Sequence, residues 1–291
     1  MQLVAFQVVN GLVYGMLLFL LAAGLSLIFG LMRVLNLAHG SFYMLGAFIG
    51  LALVQATGNY WLAFFVAPLL VALLGAVFEI LFLRPLYRRE HGGHLDQMLL
   101  TVGFIFVFVD VVRSIWGGDV LGIPTPEALS GAVSLFGVFL PKYRLFIIVL
   151  GLALAATLWF FIEYSRLGAM LRAGVDDADM AEGLGINVSR MFTLTFALGV
   201  GLAALAGVSS GPMLGVHTGM DLEILIVTLI VVVVGGMGSL KGALIASILI
   251  GEADTFGKAY FPEATMFLTY LIMVGVLLFR PTGLFGIRQD A

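Results

Sequence analysis

The chain has 291 residues, of which 62% are hydrophobic and only 11% are charged, and its formal net charge is −3. About a quarter of the residues in soluble domains are charged, so this composition excludes a soluble globular protein and predicts an all-α polytopic membrane protein. The acidic balance argues against a nucleic-acid partner, which requires clustered Lys and Arg. With no Cys, the chain cannot form disulfides or thiolate metal sites.

Apolar runs long enough to cross a bilayer, about 20 residues each, follow one another along the chain. They predict spans at 3–31, 38–57, 60–83, 95–116, 145–164, 191–213, 221–237, 240–258 and 264–280. The last three are short and are separated by Gly-rich or turn-like pieces, which allows one of them to be re-entrant or broken. We therefore expect eight or nine transmembrane helices, including broken or re-entrant segments, in one membrane domain over 1–291.

Orientation follows from Lys and Arg, which favour cytoplasmic loops. With an external N-terminus and nine crossings, ten of the 14 Lys and Arg residues lie inside, three lie outside and Arg113 lies within a span. The C-terminus is then cytoplasmic, and the loop 117–144 with its three Pro residues is external.

A polar segment, 165–190, separates two long apolar runs and is cytoplasmic in this orientation. It is too long for a minimal turn and too polar to lie in hydrocarbon. We therefore expect it to contact a partner in the aqueous phase.

Gly is abundant, with 37 residues. Helices in lipid lack a hydrophobic drive toward one another and rely on small residues that let their backbones approach closely. We expect such contacts at Gly11, Gly15, Gly46, Gly50, Gly199, Gly201, Ala203 and Gly207.

No catalytic signature is present. The Gly-rich run 235–242 has the wrong spacing for a phosphate-binding loop, and the four His residues form no metal-ligand pattern. We expect a non-catalytic chain that binds no cofactor or metal. Asp110 and Arg113 lie three apart in the fourth span and favour a structural ion pair.

Five polar residues are candidates for a substrate pathway. Asn36, His39, Ser41 and Tyr43 lie where a Gly-containing stretch opens the second span. They either meet a polar solute or cap and brace the helix. Asn10, inside the first span, either bonds between helices or lines a cavity.

Three ordered blocks carry a resemblance to a known family: RVLNLAHGSFYMLGAF at 33–48, the polar stretch 172–186, and GGMGSLKGALIASILIG at 235–251. Together they resemble the LivH-like permease subunit of branched-chain amino acid ABC importers. The resemblance implies the ABC importer permease fold, the bacterial inner membrane, and import of branched-chain or hydrophobic amino acids. It implies four kinds of partner: a second, related permease in a heterodimer, two cytoplasmic ATPase subunits that hold ATP and Mg, an external solute-binding protein, and the lipid bilayer.

The resemblance also implies that the polar segment contains a short coupling helix that docks on an ATPase subunit. The residues that match this region are Arg172, Asp176, Asp179, Ala181, Glu182, Gly183, Gly185 and Ile186. The family's Glu-Ala-Ala pattern is matched only loosely by 179–183. Two alternatives stay open: a urea or short-chain amide permease of the same family, and a secondary transporter that works alone.

Overall fold

The computed structural model describes residues 2–87, 94–135 and 138–286. Its helices are α1 (Gln2–Met32), α2 (His39–Thr57), α3 (Tyr60–Phe78), α4 (Arg84–Tyr87), α5 (His94–Trp116), α6 (Lys142–Tyr164), α7 (Arg166–Asp176), α8 (Ala178–Gly183), α9 (Val188–Leu214), α10 (Met220–Gly235), α11 (Leu240–Tyr260) and α12 (Thr265–Phe279). A π-helical turn, Glu79–Leu83, joins α3 to α4. Two antiparallel strands, β1 (Ala132–Leu135) and β2 (Val138–Pro141), form a hairpin in the loop after α5.

Each predicted apolar run is a helix, so the chain is an all-α polytopic membrane protein apart from the hairpin, which was not predicted. Within the described ranges, six helical segments are long and apolar enough to cross a membrane: α1, α2, α3 through α4, α5, α6 and α9. α10 and α12 are shorter, with 16 and 15 residues. Each spans about 24 Å or less of a hydrocarbon core about 30 Å thick, as expected of short or broken segments.

α1 lies at the centre of the bundle. In its most apolar stretch 83% of the residues are buried, against 11% in α6, which lies at the periphery. The predicted close backbone contacts are confirmed at Gly11, Gly15, Gly46, Gly199 and Gly207. A Cβ on Gly15 would lie 2.8 Å from the Ser247 carbonyl oxygen of α11, and one on Gly207 would overlap the Tyr43 carbonyl oxygen of α2. The backbones of these helices therefore touch where the glycines lie.

α2 and α10 both begin inside the bundle. His39, the first residue of α2, places its Nε2 atom 3.1 Å from the Leu21 carbonyl oxygen. Leu21 lies about 16 Å before the end of α1, at about 1.5 Å per residue. A Cβ on Gly40 would overlap the Asp221 carbonyl oxygen, so the first turns of α2 and α10 meet beside the middle of α1.

The predicted ion pair between Asp110 and Arg113 is wrong. Both residues are exposed on α5, off the stripe that buries Ile105 and Val112. Ion pairs among the described residues involve other side chains. No neighbouring element within the described ranges holds the two exposed side chains in one geometry.

The contact of α2 with α9 predicts the effect of a single methyl group. We expect Gly207→Ala to lower the free energy of unfolding by about 1–3 kcal/mol, because the added carbon forces two packed backbones apart. The melting temperature of the purified protein in detergent measures this loss. Gly103→Ala is the matched control, since a Cβ there meets no atom within 4 Å. Equal melting temperatures for the two variants would contradict the prediction.

Candidate functional site

The polar segment 165–190 folds into α7, α8 and the first turn of α9. A side chain caps the start of each helix: Ser165, Asp177 and Asn187 each accept, at 2.9 Å, the backbone N–H of the residue three positions later. Such caps satisfy N–H groups that a helix start leaves unpaired. The breaks in this segment are therefore specified locally by three cap residues.

The end of α8 is closed by Gly185. Its φ of +87° is one that L side chains rarely adopt. The Gly185 N–H donates to the Glu182 carbonyl oxygen at 2.9 Å, and the Ile186 N–H donates to the Ala181 carbonyl oxygen at 3.0 Å. This pair of bonds is a Schellman motif, which requires a left-handed residue after the helix. Gly185 and Ile186, predicted as docking residues, thus also fix where α8 stops.

α8 and the residue that follows it expose an apolar pair. Met180 is 64% exposed and Leu184 is 76% exposed, whereas Ala181 between them is buried. Glu182 and Gly183 are exposed beside them. Large apolar side chains grouped on a polar segment outside the bundle are typical of a protein contact surface.

Arg172 ties this segment to the bundle. Its Nη1 donates to the Ile162 carbonyl oxygen, and its Nη2 donates to the Glu163 carbonyl oxygen at 3.4 Å. These carbonyls lie in the last turn of α6, where a cation is favoured. The side chains of Asp176 and Asp179 lie outside the described residues.

Asn36 and His39 organise the chain ahead of α2. Asn36 Oδ1 accepts the Ala38 N–H at 3.1 Å, and its carbonyl oxygen accepts the His39 N–H at 3.3 Å. Since a carbonyl oxygen only accepts, His39 Nε2 carries the proton that it donates to Leu21. Both side chains are fully buried. They hold the start of α2 against the middle of α1.

Ser41 and Tyr43 connect α2 to two other helices. The Ser41 hydroxyl donates to Asp221 Oδ2 of α10 at 3.1 Å. The Ser210 hydroxyl of α9 donates to the Gly207 carbonyl oxygen at 2.9 Å, so Tyr43 OH donates to Ser210 Oγ, 2.7 Å away. All of these side chains are buried.

Several polar atoms in this buried cluster have no hydrogen-bond partner among the described residues. They are Asn36 Nδ2, His39 Nδ1 and Asp221 Oδ1. The starts of α2 and α10 carry partial positive charge, which favours the Asp221 carboxyl group between them. The cluster thus braces the bundle and retains unused capacity to bind a polar group.

Asn10 lies apart from this cluster. Its Oδ1 accepts a hydrogen bond from Arg144 Nη1 near the start of α6, and the Arg144 guanidinium lies 5.2 Å from the Phe6 ring centre. Asn10 is about 16 Å along α1 from Leu21. The structure therefore brings together four of the predicted pathway residues and leaves Asn10 in a bond between helices.

The sequence did not predict the contacts of two acidic residues that are important to the structure. Asp221 accepts from Ser41, and its sequence signal is a charge at the start of an apolar run. Glu79 is fully buried and pairs with Arg84, their charged atoms 3.0 Å apart. In a regular α-helix, residues five apart point about 140° away from each other, so the spacing of Glu79 and Arg84 gave no signal.

The Ser41 bond allows a quantitative test of the buried cluster. We expect Ser41→Ala to lower the free energy of unfolding by about 1–3 kcal/mol, because a buried carboxyl group loses a donor. Thermal melting in detergent is the measurement. Ser114→Ala is the control, since the exposed Ser114 hydroxyl bonds only to the Asp110 carbonyl oxygen of its own helix. A melting temperature for Ser41→Ala no lower than that of the control would refute this role.

Comparison with known proteins supports the resemblance found in the sequence. Residues 7–277 match the family described as branched-chain amino acid transport system, permease component. The high-affinity branched-chain amino acid transport permease BraD of Pseudomonas aeruginosa is 33% identical over 96% of this chain and 95% of its own length. The corresponding LivH permease of Escherichia coli K12 is 29% identical, over 96% and 94%. The LivM permease of the same organism is 26% identical, over 92% and 68%. This chain belongs to the permease family of branched-chain amino acid transport systems.

Proposed function

We propose that this chain is a permease subunit of an ABC importer that carries branched-chain or other hydrophobic amino acids across the bacterial inner membrane. The observation that carries the proposal is the family match over 7–277 together with the 33% identity to BraD. In this role the chain moves solute without catalysing a reaction, and ATP with Mg is bound and hydrolysed by separate subunits.

α8 is the docking element for the ATPase in this proposal. The exposed Met180 and Leu184 would enter an apolar groove of the ATPase, and Glu182 would lie at the rim of the contact. The caps at Asp177 and Gly185 support this role, because they hold the short helix in shape before it docks.

The remaining partners follow from the same assignment. Similarity to both LivH and LivM of one organism supports a heterodimer with a second, related permease. An external solute-binding protein would deliver the amino acid. The N-terminus would be external and the C-terminus cytoplasmic, which places α7 and α8 on the ATPase side.

Transport would work by alternating access. ATP binding would close the two ATPase subunits, move α8 and the start of α9, and shift the helices between two arrangements. Asn36, His39, Ser41 and Tyr43 are proposed as polar stops for the charged ends of the amino acid. All four are buried in this conformation, so solute would reach them only when α2 and α10 move apart.

Reconstitution tests the proposal. The complete complex, with its second permease, ATPase subunits and binding protein, is placed in proteoliposomes, and uptake of radiolabelled leucine is followed with and without ATP. We expect uptake that requires both ATP and the binding protein. Uptake of urea in place of leucine would indicate instead that the chain is a urea or short-chain amide permease of the same family. Full uptake by this chain alone, driven by a proton gradient, would reject it.

Gly183 provides a sharper prediction about docking. A Cβ at this exposed position meets no atom within 4 Å in the protomer, so a large side chain fits the free chain and obstructs only a docked partner. We expect Gly183→Trp to reduce binding-protein-stimulated ATP hydrolysis by about tenfold or more, as loss of a well-packed contact does. Membrane insertion should be unchanged. Gly183→Ala is the control, and wild-type stimulation in Gly183→Trp would remove α8 from the docking surface.

A further inference from the structure

Glu79 is the centre of a buried polar network between α3 and α9. Its Oε1 accepts from Arg84 Nε at 3.3 Å and from Tyr87 OH, and its Oε2 accepts from Arg84 Nη2 at 3.0 Å and from Thr193 Oγ1 at 2.7 Å. Arg84 Nη2 also donates to Thr193 Oγ1 and lies 3.5 Å from the Ser189 carbonyl oxygen. The Thr193 hydroxyl has one proton and lies 2.7 Å from Glu79 Oε2 and 3.0 Å from the Ser189 carbonyl oxygen, so the shorter contact to the carboxylate takes it. Two donors thus satisfy each oxygen of a carboxyl group that has no solvent exposure.

The π-helical turn Glu79–Leu83 makes this network possible. The Arg84 N–H bonds to the Glu79 carbonyl oxygen five residues back, instead of four. This widened turn brings Glu79 and Arg84, which would diverge in a regular α-helix, onto one face. π-turns of this kind are frequent at functional sites.

The network reaches the part of α9 that follows the docking helix. Ser189 and Thr193 lie in the first two turns of α9, which begins at Val188. Only 184–187 separate this start from the end of α8. The α9 half of the network is therefore close along the chain to the segment that would move with an ATPase, and the α3 half is fixed to the bundle.

We propose that Glu79, Arg84 and Thr193 are positioning residues that transmit displacement of the docking segment to α3, and through α3 to the transport path. Their bonds form a clamp between the start of α9 and the cytoplasmic end of α3. This inference rests on the proposed function, because it assigns a motion to the same docking segment. Without the clamp, the start of α9 could move while α3 stayed behind, so ATP would be hydrolysed with little solute carried.

The test uses the complete complex in proteoliposomes and measures two rates, binding-protein-stimulated ATP hydrolysis and solute uptake. Thr193→Val keeps the side-chain shape and removes the hydroxyl that bridges the helices. We expect stimulated hydrolysis to persist while the amount of solute carried per ATP falls by about tenfold, a coupling loss of ordinary size. Thr193→Ser, which restores the hydroxyl, should restore the ratio.

Thr195→Val is the matched control. Thr195 lies two residues further along α9, is buried, and donates only to the Met191 carbonyl oxygen of its own helix at 2.9 Å. A wild-type ratio in Thr193→Val would overturn the proposal, and so would an equal loss in Thr195→Val. If the Thr193→Val complex does not assemble, Arg84→Lys allows the same measurement. This change keeps the positive charge but loses the bidentate hydrogen bonding of Arg84 to Glu79.

Measurements on the wild-type complex distinguish a failure of the proposed function from a failure of the clamp. Uptake without ATP dependence in the wild type would reject the proposed function before any variant is compared. ATP-dependent uptake in the wild type with an unchanged ratio in Thr193→Val would reject only the clamp.

Discussion

Direct backbone contact between helices is the constraint on which the rest of this structure depends. α1 touches α11 at Gly15 and Gly251, and α9 touches α2 at Gly207. In lipid there is no hydrophobic drive between helices, so close van der Waals contact and a few internal hydrogen bonds must hold the bundle together. Small residues at these positions let the remaining side chains interlock around a buried α1.

This close packing also decides where polar groups can lie. α2 and α10 begin beside the middle of α1, where no solvent satisfies their free N–H groups, so polar side chains collect there. Asn36 Oδ1 accepts the Ala38 N–H just ahead of α2, whereas His39 donates to the Leu21 carbonyl oxygen and Ser41 donates to Asp221. The atoms left without a partner identify the place where the interior can still bind a polar group.

The polar segment is stabilised by different interactions from those that hold the bundle together. Its helices are short and are held by caps at Ser165, Asp177 and Asn187 and by the left-handed Gly185. It is joined to the bundle by Arg172 at α6 and, through the start of α9, by the network around Glu79. Movement imposed on this segment therefore has two defined routes into the membrane helices.

Much of this architecture was determined by the sequence alone. Hydropathy located each membrane helix to within four residues, because length and apolarity are local properties. The glycine contacts and the family were predictable for the same reason, since spacing and ordered motifs are read directly from the residues. Only the tertiary structure decided that Asp110 and Arg113 remain unpaired, that Ser41 meets Asp221, and that a π-turn brings Glu79 and Arg84 together beside Thr193. These contacts join residues up to 180 positions apart or depend on an irregular turn, and neither follows from helical periodicity.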